Sequence, residues 1–173
     1  MLATYIPRSF NEENAKHSKC ILALKKYYQG VKTITELPGK NDEGCDLLIG
    51  EGEAIKRVEI KTLAGASNTG TPYKTFIVET FTDYNQKYLS GWRAAPLLHN
   101  IIFFNLHDKK AYIYNANILR AYVNSNQHLQ IPSGTGTGQY NKANNKLCSW
   151  GLKIEWQCKE AGFIKSLDLS HYL

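Results

Sequence analysis

The stretch RVEIKT, residues 57–62, alternates charged with apolar side chains, and its charges, Arg57, Glu59 and Lys61, are mixed in sign. Read as a strand, its period of two puts Glu59 and Lys61 side by side on one face, with Val58 and Ile60 on the other. The ordinary reading of such a pair is a solvated face, since antiparallel sheets commonly keep one face wet. The neighbouring segments decide whether this face is merely wet or chemically useful.

Upstream, CDLLIG (45–50) reads as a strand and GEGEA as a turn, so IKRVEIKT (55–62) becomes the second arm of a hairpin. The first arm carries one acid, Asp46. If Asp46 and Glu59 share a face, two carboxylates and the Lys61 ammonium meet at one point. Cys45, Leu47 and Ile49 then join Val58 and Ile60 on the opposite face. Paired carboxylates suit a hard, oxygen-seeking divalent cation such as Mg²⁺. A lysine beside them neutralises charge on a phosphate and positions a water. Phosphodiester hydrolysis needs that set.

The remaining chain supplies the frame. Residues 9–29 predict a helix, with Ser9 and Glu12 in capping-box spacing and Gly30 as its stop. Ile21, Leu24 and Tyr28 form its apolar stripe, and counting back along that stripe reaches His17 and Glu13. Strands are expected at 31–37 and 74–80, a buried strand at 99–106 and its hairpin partner at 109–115. A short helix follows from Ala116 to Val123, capped by Asn115 or Asn117. Between strands, 63–73 is a polar loop, and 82–98 holds helix and irregular chain around SGWRAAP. Residues 132–146, PSGTGTGQYNKANNK, read as a mobile surface loop; GTGTG lacks the Lys-Ser/Thr of a P-loop and the spacing of a dinucleotide motif. A final strand or hairpin is expected at 146–158, and a short helix in the tail.

At 173 residues and 43% hydrophobic, the chain suffices for one core, so a single domain over 1–173 is expected. No apolar run is long enough to span a bilayer, and the first residues lack a secretory pattern, so no membrane and a cytoplasmic location are expected. Cys20, Cys45, Cys148 and Cys158 form no CxxC pair and the five histidines no ligand spacing, which argues for buried thiols and against a Cys/His metal site. The net charge of +6 favours a polyanionic partner.

Asp46, then Glu59-Ile60-Lys61 on the next strand, resembles the signature of the PD-(D/E)XK, or restriction endonuclease-like, nuclease superfamily. The order of one helix and three strands matches the αβββαβ core of that superfamily. The resemblance covers residues 9–120, with 121–173 a C-terminal elaboration carrying extra strands. Cys45 stands where the family often has proline. FIVETFTDYNQKYLSGW (76–92), followed by an apolar strand, resembles small phage and mobile-element nucleases of the same superfamily. LPGKNDEG before Asp46 is similar to small restriction enzymes.

The resemblance implies an α/β (mixed-sheet α+β) fold and a metal-dependent DNA endonuclease, cutting double-stranded DNA at sites as a homodimer. Asp46, Glu59 and the Ile60 carbonyl would hold Mg²⁺, with Mn²⁺ as a substitute. Lys61 would contact the scissile phosphate. Glu13, from the first helix, and Glu79, ending the FIVE strand, would add to the catalytic set; for Glu13 the costly placement of an acid on an apolar stripe points the same way. Trp92 and Arg93 are candidates to stack on or clamp DNA. Lys16, Lys19, Lys25, Lys26, Lys32, Lys56, Arg57, Lys74, Lys142 and Lys146 are candidate phosphate contacts, against the plainer reading of solvated charges. Two other functions compete: a basic nucleic-acid-binding module without catalysis, and a nuclease selective for junctions or flaps.

Overall fold

A computed structural model describes residues 8–39, 41–83, 87–132, 140–141, 146–147 and 149–173. Helix α1 (Arg8–Tyr27) is laid down by the expected stripe: Cys20, Ile21, Leu24 and, just past its end, Tyr28 are buried on one side. The helix begins at Arg8, so Ser9 lies inside it rather than at its cap. Gly30, at φ +77°, turns the chain away in a conformation that side chains with a Cβ rarely adopt.

Three antiparallel strands follow: β1 (Thr33–Glu36), β2 (Leu47–Glu51) and β3 (Ala54–Leu63). The chain then leaves the sheet through β4 (Thr75–Asp83), β5 (Tyr88–Leu89) and the four-residue helix α2 (Gly91–Ala94). It returns in β6 (Asn100–Asn105), parallel to β3, and turns back in β7 (Lys110–Asn115). A parallel neighbour requires a long crossover; here strands and a single helical turn fill it, where the αβββαβ pattern calls for a helix.

Helix α3 (Ala116–Ser125) starts as expected, with the Asn115 side chain accepting from the Ile118 amide at 3.0 Å. Short strands β8 (Ile131–Pro132), β9 (Tyr140–Asn141) and β10 (Lys146–Leu147) lead to β11 (Trp150–Glu155) and β12 (Phe163–Asp168). Most of the expected loop at 132–146 lies outside the described residues. The tail expected as a helix is instead strand β12. It lies at the sheet edge beside β7 and buries only Leu167 fully, so its sequence carries no clear period.

The result is a mixed α/β fold with two principal sheets. One has six strands in the order β1-β2-β3-β6-β7-β12, and the other four in the order β5-β4-β11-β8. One face of the six-stranded sheet is covered by α1, closing a core of Leu24, Leu47, Val58, Ile60 and Phe104. The opposite face packs Ile101, Phe103 and Tyr114 against Phe76, Val78 and Ile154 of the second sheet. Sandwiched so, β6 is buried at all five residues from Ile101 to Asn105, the continuous apolar run of a central strand.

Segments after residue 120 are built into this frame. Strand β11 is the partner of β4, and the Tyr114 hydroxyl donates to the Trp156 carbonyl at 2.8 Å. Cys45 departs from the expected alternation: it precedes β2 and packs in the core on the second-sheet side, not with Leu47 and Ile49. Cys20 and Cys45 are buried free thiols and Cys158 a half-buried one; burial pushes the Cys20 thiol up to about 11. Cys148 lies outside the described residues. No described helix is long and apolar enough to cross a membrane.

Candidate active site

The β2–β3 ladder pairs Leu47 with Val58. It ends there: the Asp46 amide bonds the Val58 carbonyl, one residue out of that register, so Asp46 sits at a bulge before the ladder, where its charge still acts on Glu59. Asp46 is fixed from three sides. Its carbonyl accepts from the Leu37 amide at 2.9 Å, its amide donates to the Val58 carbonyl at 3.0 Å, and its Oδ2 accepts from the Ile60 amide at 2.8 Å. Oδ1 has no hydrogen bond among the described residues, which leaves it available to a ligand.

Glu59 and Lys61 form the expected same-face pair, with Nζ 2.8 Å from Oε1. Their environments differ, since the Glu59 side chain is 16% exposed and that of Lys61 44%. Burial raises the Glu59 carboxyl above its usual range; Lys61 opposes that shift and Asp46 adds to it. For Lys61, burial alone would lower the pKa. The facing Glu59, with Asp46 and Glu79, overcomes that and raises it, so the ammonium stays charged.

Glu79 joins from the other sheet. Burial raises its carboxyl too, and Lys61 is close enough to pull it back in part. The turn at Ser90–Arg93 holds its strand in place: Trp92 Nε1 donates to the Glu79 carbonyl at 2.7 Å, and Ser90 N and Arg93 Nη1 donate to the Thr80 carbonyl, each at 3.1 Å. The Ser90 hydroxyl, itself buried, faces the Glu79 carboxyl without completing a hydrogen bond of good geometry.

Asp46 and Glu59 line a cleft of about 670 Å³ between residues 41–46 and 91–97. A second cleft, about 480 Å³, runs between the end of β3 and β4 and is lined by Glu79. Lys61 interacts with acids of both clefts, Asp46 and Glu59 of the first and Glu79 of the second.

Other expected residues fall elsewhere. Trp92 is 2% exposed, so its ring has no face to offer a base; it is core. Arg93 is tied to Thr80, to Asn124 Oδ1 at 3.0 Å and to the Phe81 ring, and burial lowers its pKa; it pins α2 rather than reaching outward. Arg57 is paired with Glu43 at 2.5 Å. Lys25 and Lys32 are paired with Glu36 and Glu51 at 3.4 and 3.0 Å. Lys16, Lys19, Lys26, Lys56 and Lys74 are exposed. The side chains of Glu13, Lys142 and Lys146 lie outside the described residues.

Among the described side chains of α1, His17 is one whose charge acts on Glu59 and lowers its pKa. The signal for it was the stripe of Ile21, Leu24 and Tyr28 extended backwards, which reaches His17 before Glu13. Ser90 carried no sequence signal beyond its place in the SGW turn.

Among the described residues, no three His, Cys, Asp or Glu side chains gather as a metal-holding group. The donor set at this site is the neighbouring carboxylates of Asp46 and Glu59. That suits a cation that keeps several of its waters, as Mg²⁺ does. No family model, curated protein or solved structure matches the chain.

Proposed function

We propose that this protein is a metal-dependent endonuclease on a restriction endonuclease-like core, hydrolysing phosphodiester bonds of double-stranded DNA. The observation that carries the reading is the meeting of Asp46, Glu59, Lys61 and Glu79 between two clefts, on a β1-β2-β3-β6 sheet preceded by α1. Asp46, Glu59 and the Ile60 carbonyl would hold Mg²⁺, which supplies charge neutralisation at the phosphate.

The chain's own groups divide the remaining work. Lys61, kept cationic by three carboxylates, stabilises charge developing on the phosphate and does not take a proton. Glu79, with its carboxyl raised by burial, is the better proton acceptor for the attacking water. The water oxygen bonds to phosphorus, the bond to the 3′ oxygen breaks, and a 5′-phosphate remains. Asp46 accepts from the Ile60 amide, which holds its carboxylate beside Glu59. A homodimer would let two such sites cut both strands.

The test is incubation of plasmid and linear duplex with Mg²⁺, Mn²⁺ or EDTA. The expected result is cutting with either metal and none with EDTA, with discrete bands marking site-specific cleavage. Binding without cutting, across duplex, flap and junction substrates, would replace this reading with that of a binding module.

A further inference from the structure

The cleft between β3 and β4 has features that hydrolysis alone does not require. Its walls are residues 63–65 and 75–79, and Tyr73, Lys153 and Trp156 complete it. Tyr73 is 50% exposed, and among the described residues its ring packs on no other aromatic ring. Trp156 is turned inward, 4.6 Å from Phe76 in a stacked pair, and its indole N–H is taken by the Tyr73 carbonyl at 2.8 Å. The backbone under Tyr73 is thereby fixed while its ring stays free. A second bond, from the Tyr73 amide to the Gly65 carbonyl at 2.9 Å, ties it to the end of β3. Lys153, on β11 opposite Ile77, is exposed and has no carboxylate partner among the described residues.

We infer that this cleft is a nucleobase subsite for an unpaired nucleotide next to the scissile phosphate, with Tyr73 as its stacking ring and Lys153 as its phosphate contact. The inference rests on the nuclease reading above and names how that site holds its substrate. Three observations carry it. The volume of about 480 Å³ admits a nucleotide and not a duplex. A free aromatic face beside an unpaired cation is the pairing that single-stranded nucleic acid uses, base on ring and phosphate on ammonium. Glu79 lines this cleft and also interacts with Lys61, so a nucleotide seated here is continuous with the phosphate at Lys61. A base in this cleft has left its stack, so the enzyme opens the duplex locally before it cuts.

The test uses a short DNA strand carrying one 2-aminopurine, with Ca²⁺ in place of Mg²⁺ to hold back cleavage. Wild type and Tyr73→Phe should quench the probe, and Tyr73→Leu should not. Affinity should fall about 5- to 100-fold in Tyr73→Leu, the range of one lost base–aromatic stack. Lys153→Ala should weaken binding less and flatten its salt dependence. Tyr73 is exposed and its structural bonds are made by backbone, so Tyr73→Leu should melt with wild type. Equal quenching and affinity in wild type and Tyr73→Leu, in a protein that cuts DNA and loses cutting in Lys61→Ala, would overturn the subsite and leave the nuclease reading standing. A wild type that neither binds nor cuts DNA would overturn both.

Discussion

Two glutamate–lysine pairs in this molecule have nearly the same geometry and opposite electrostatics. Glu59 and Lys61 meet at 2.8 Å on β3, and Glu51 and Lys32 meet at 3.0 Å at the far end of the same hairpin. The Glu51 side chain is 55% exposed, and the Lys32 hydrogen bond holds its carboxyl below the usual range. The Glu59 side chain is 16% exposed, and burial drives its carboxyl the other way despite the lysine beside it. An exposed acid beside a lysine is lowered; an acid that is itself desolvated and crowded by a second acid is not. Distance alone does not separate a surface ion pair from a candidate site. Burial and the company of Asp46 and Glu79 do.

The largest expected effect is at Lys61. Lys61→Ala should lower Mg²⁺-dependent cleavage by about a hundred- to a thousandfold, since it removes the cation that stabilises charge on the phosphate. Glu79→Gln should lower kcat by about a hundredfold with KM little changed, as measured in steady-state cleavage. Its residual activity should lose the fall seen in wild type as pH drops through the raised Glu79 pKa.

Metal binding gives a third contrast. At about tenfold excess over its Kd, Mg²⁺ should raise Tm by about 3–5 °C at pH 8. That gain should shrink as pH falls, because protons then compete for Glu59, which protonates above the ordinary carboxylate range. The metal-free protein should show the reverse trend from Glu59 and Glu79. A raised folded-state pKa contributes stability below the unfolded value and loses it as pH rises through the folded one. Scanning calorimetry with and without Mg²⁺ across pH reads both. The smallest effect is at the exposed acid Glu51: Glu51→Gln should leave cleavage unchanged and move Tm by no more than about 2 °C.

Much of the fold was legible because its signals are local and strong. Alternation in β3 and the apolar run of β6 sit in sequence as they sit in space, and Asn115 announces α3. So was the neighbourhood of the candidate residues Asp46, Glu59 and Lys61, since a short turn joins the two arms that carry them. What was illegible depended on tertiary context. Strand β12 is recruited by the free edge of β7 and has no pattern of its own. Trp92 reads as core or as a stacking ring until its burial and the Glu79 carbonyl that takes its indole N–H decide for core. Cys45 sits before the regular ladder, where alternation no longer says which face a side chain takes. His17 lies on the α1 stripe, and only the packing of that helix shows that its charge reaches Glu59.

The most direct measurement is plasmid cleavage with Mg²⁺ by three proteins side by side: wild type, Lys61→Ala and Lys32→Ala. The account predicts that wild type and Lys32→Ala cut at equal rates and that Lys61→Ala does not cut. Equal rates in all three, or no cutting by wild type, would contradict it and return Glu59 and Lys61 to the status of a wet face on a strand.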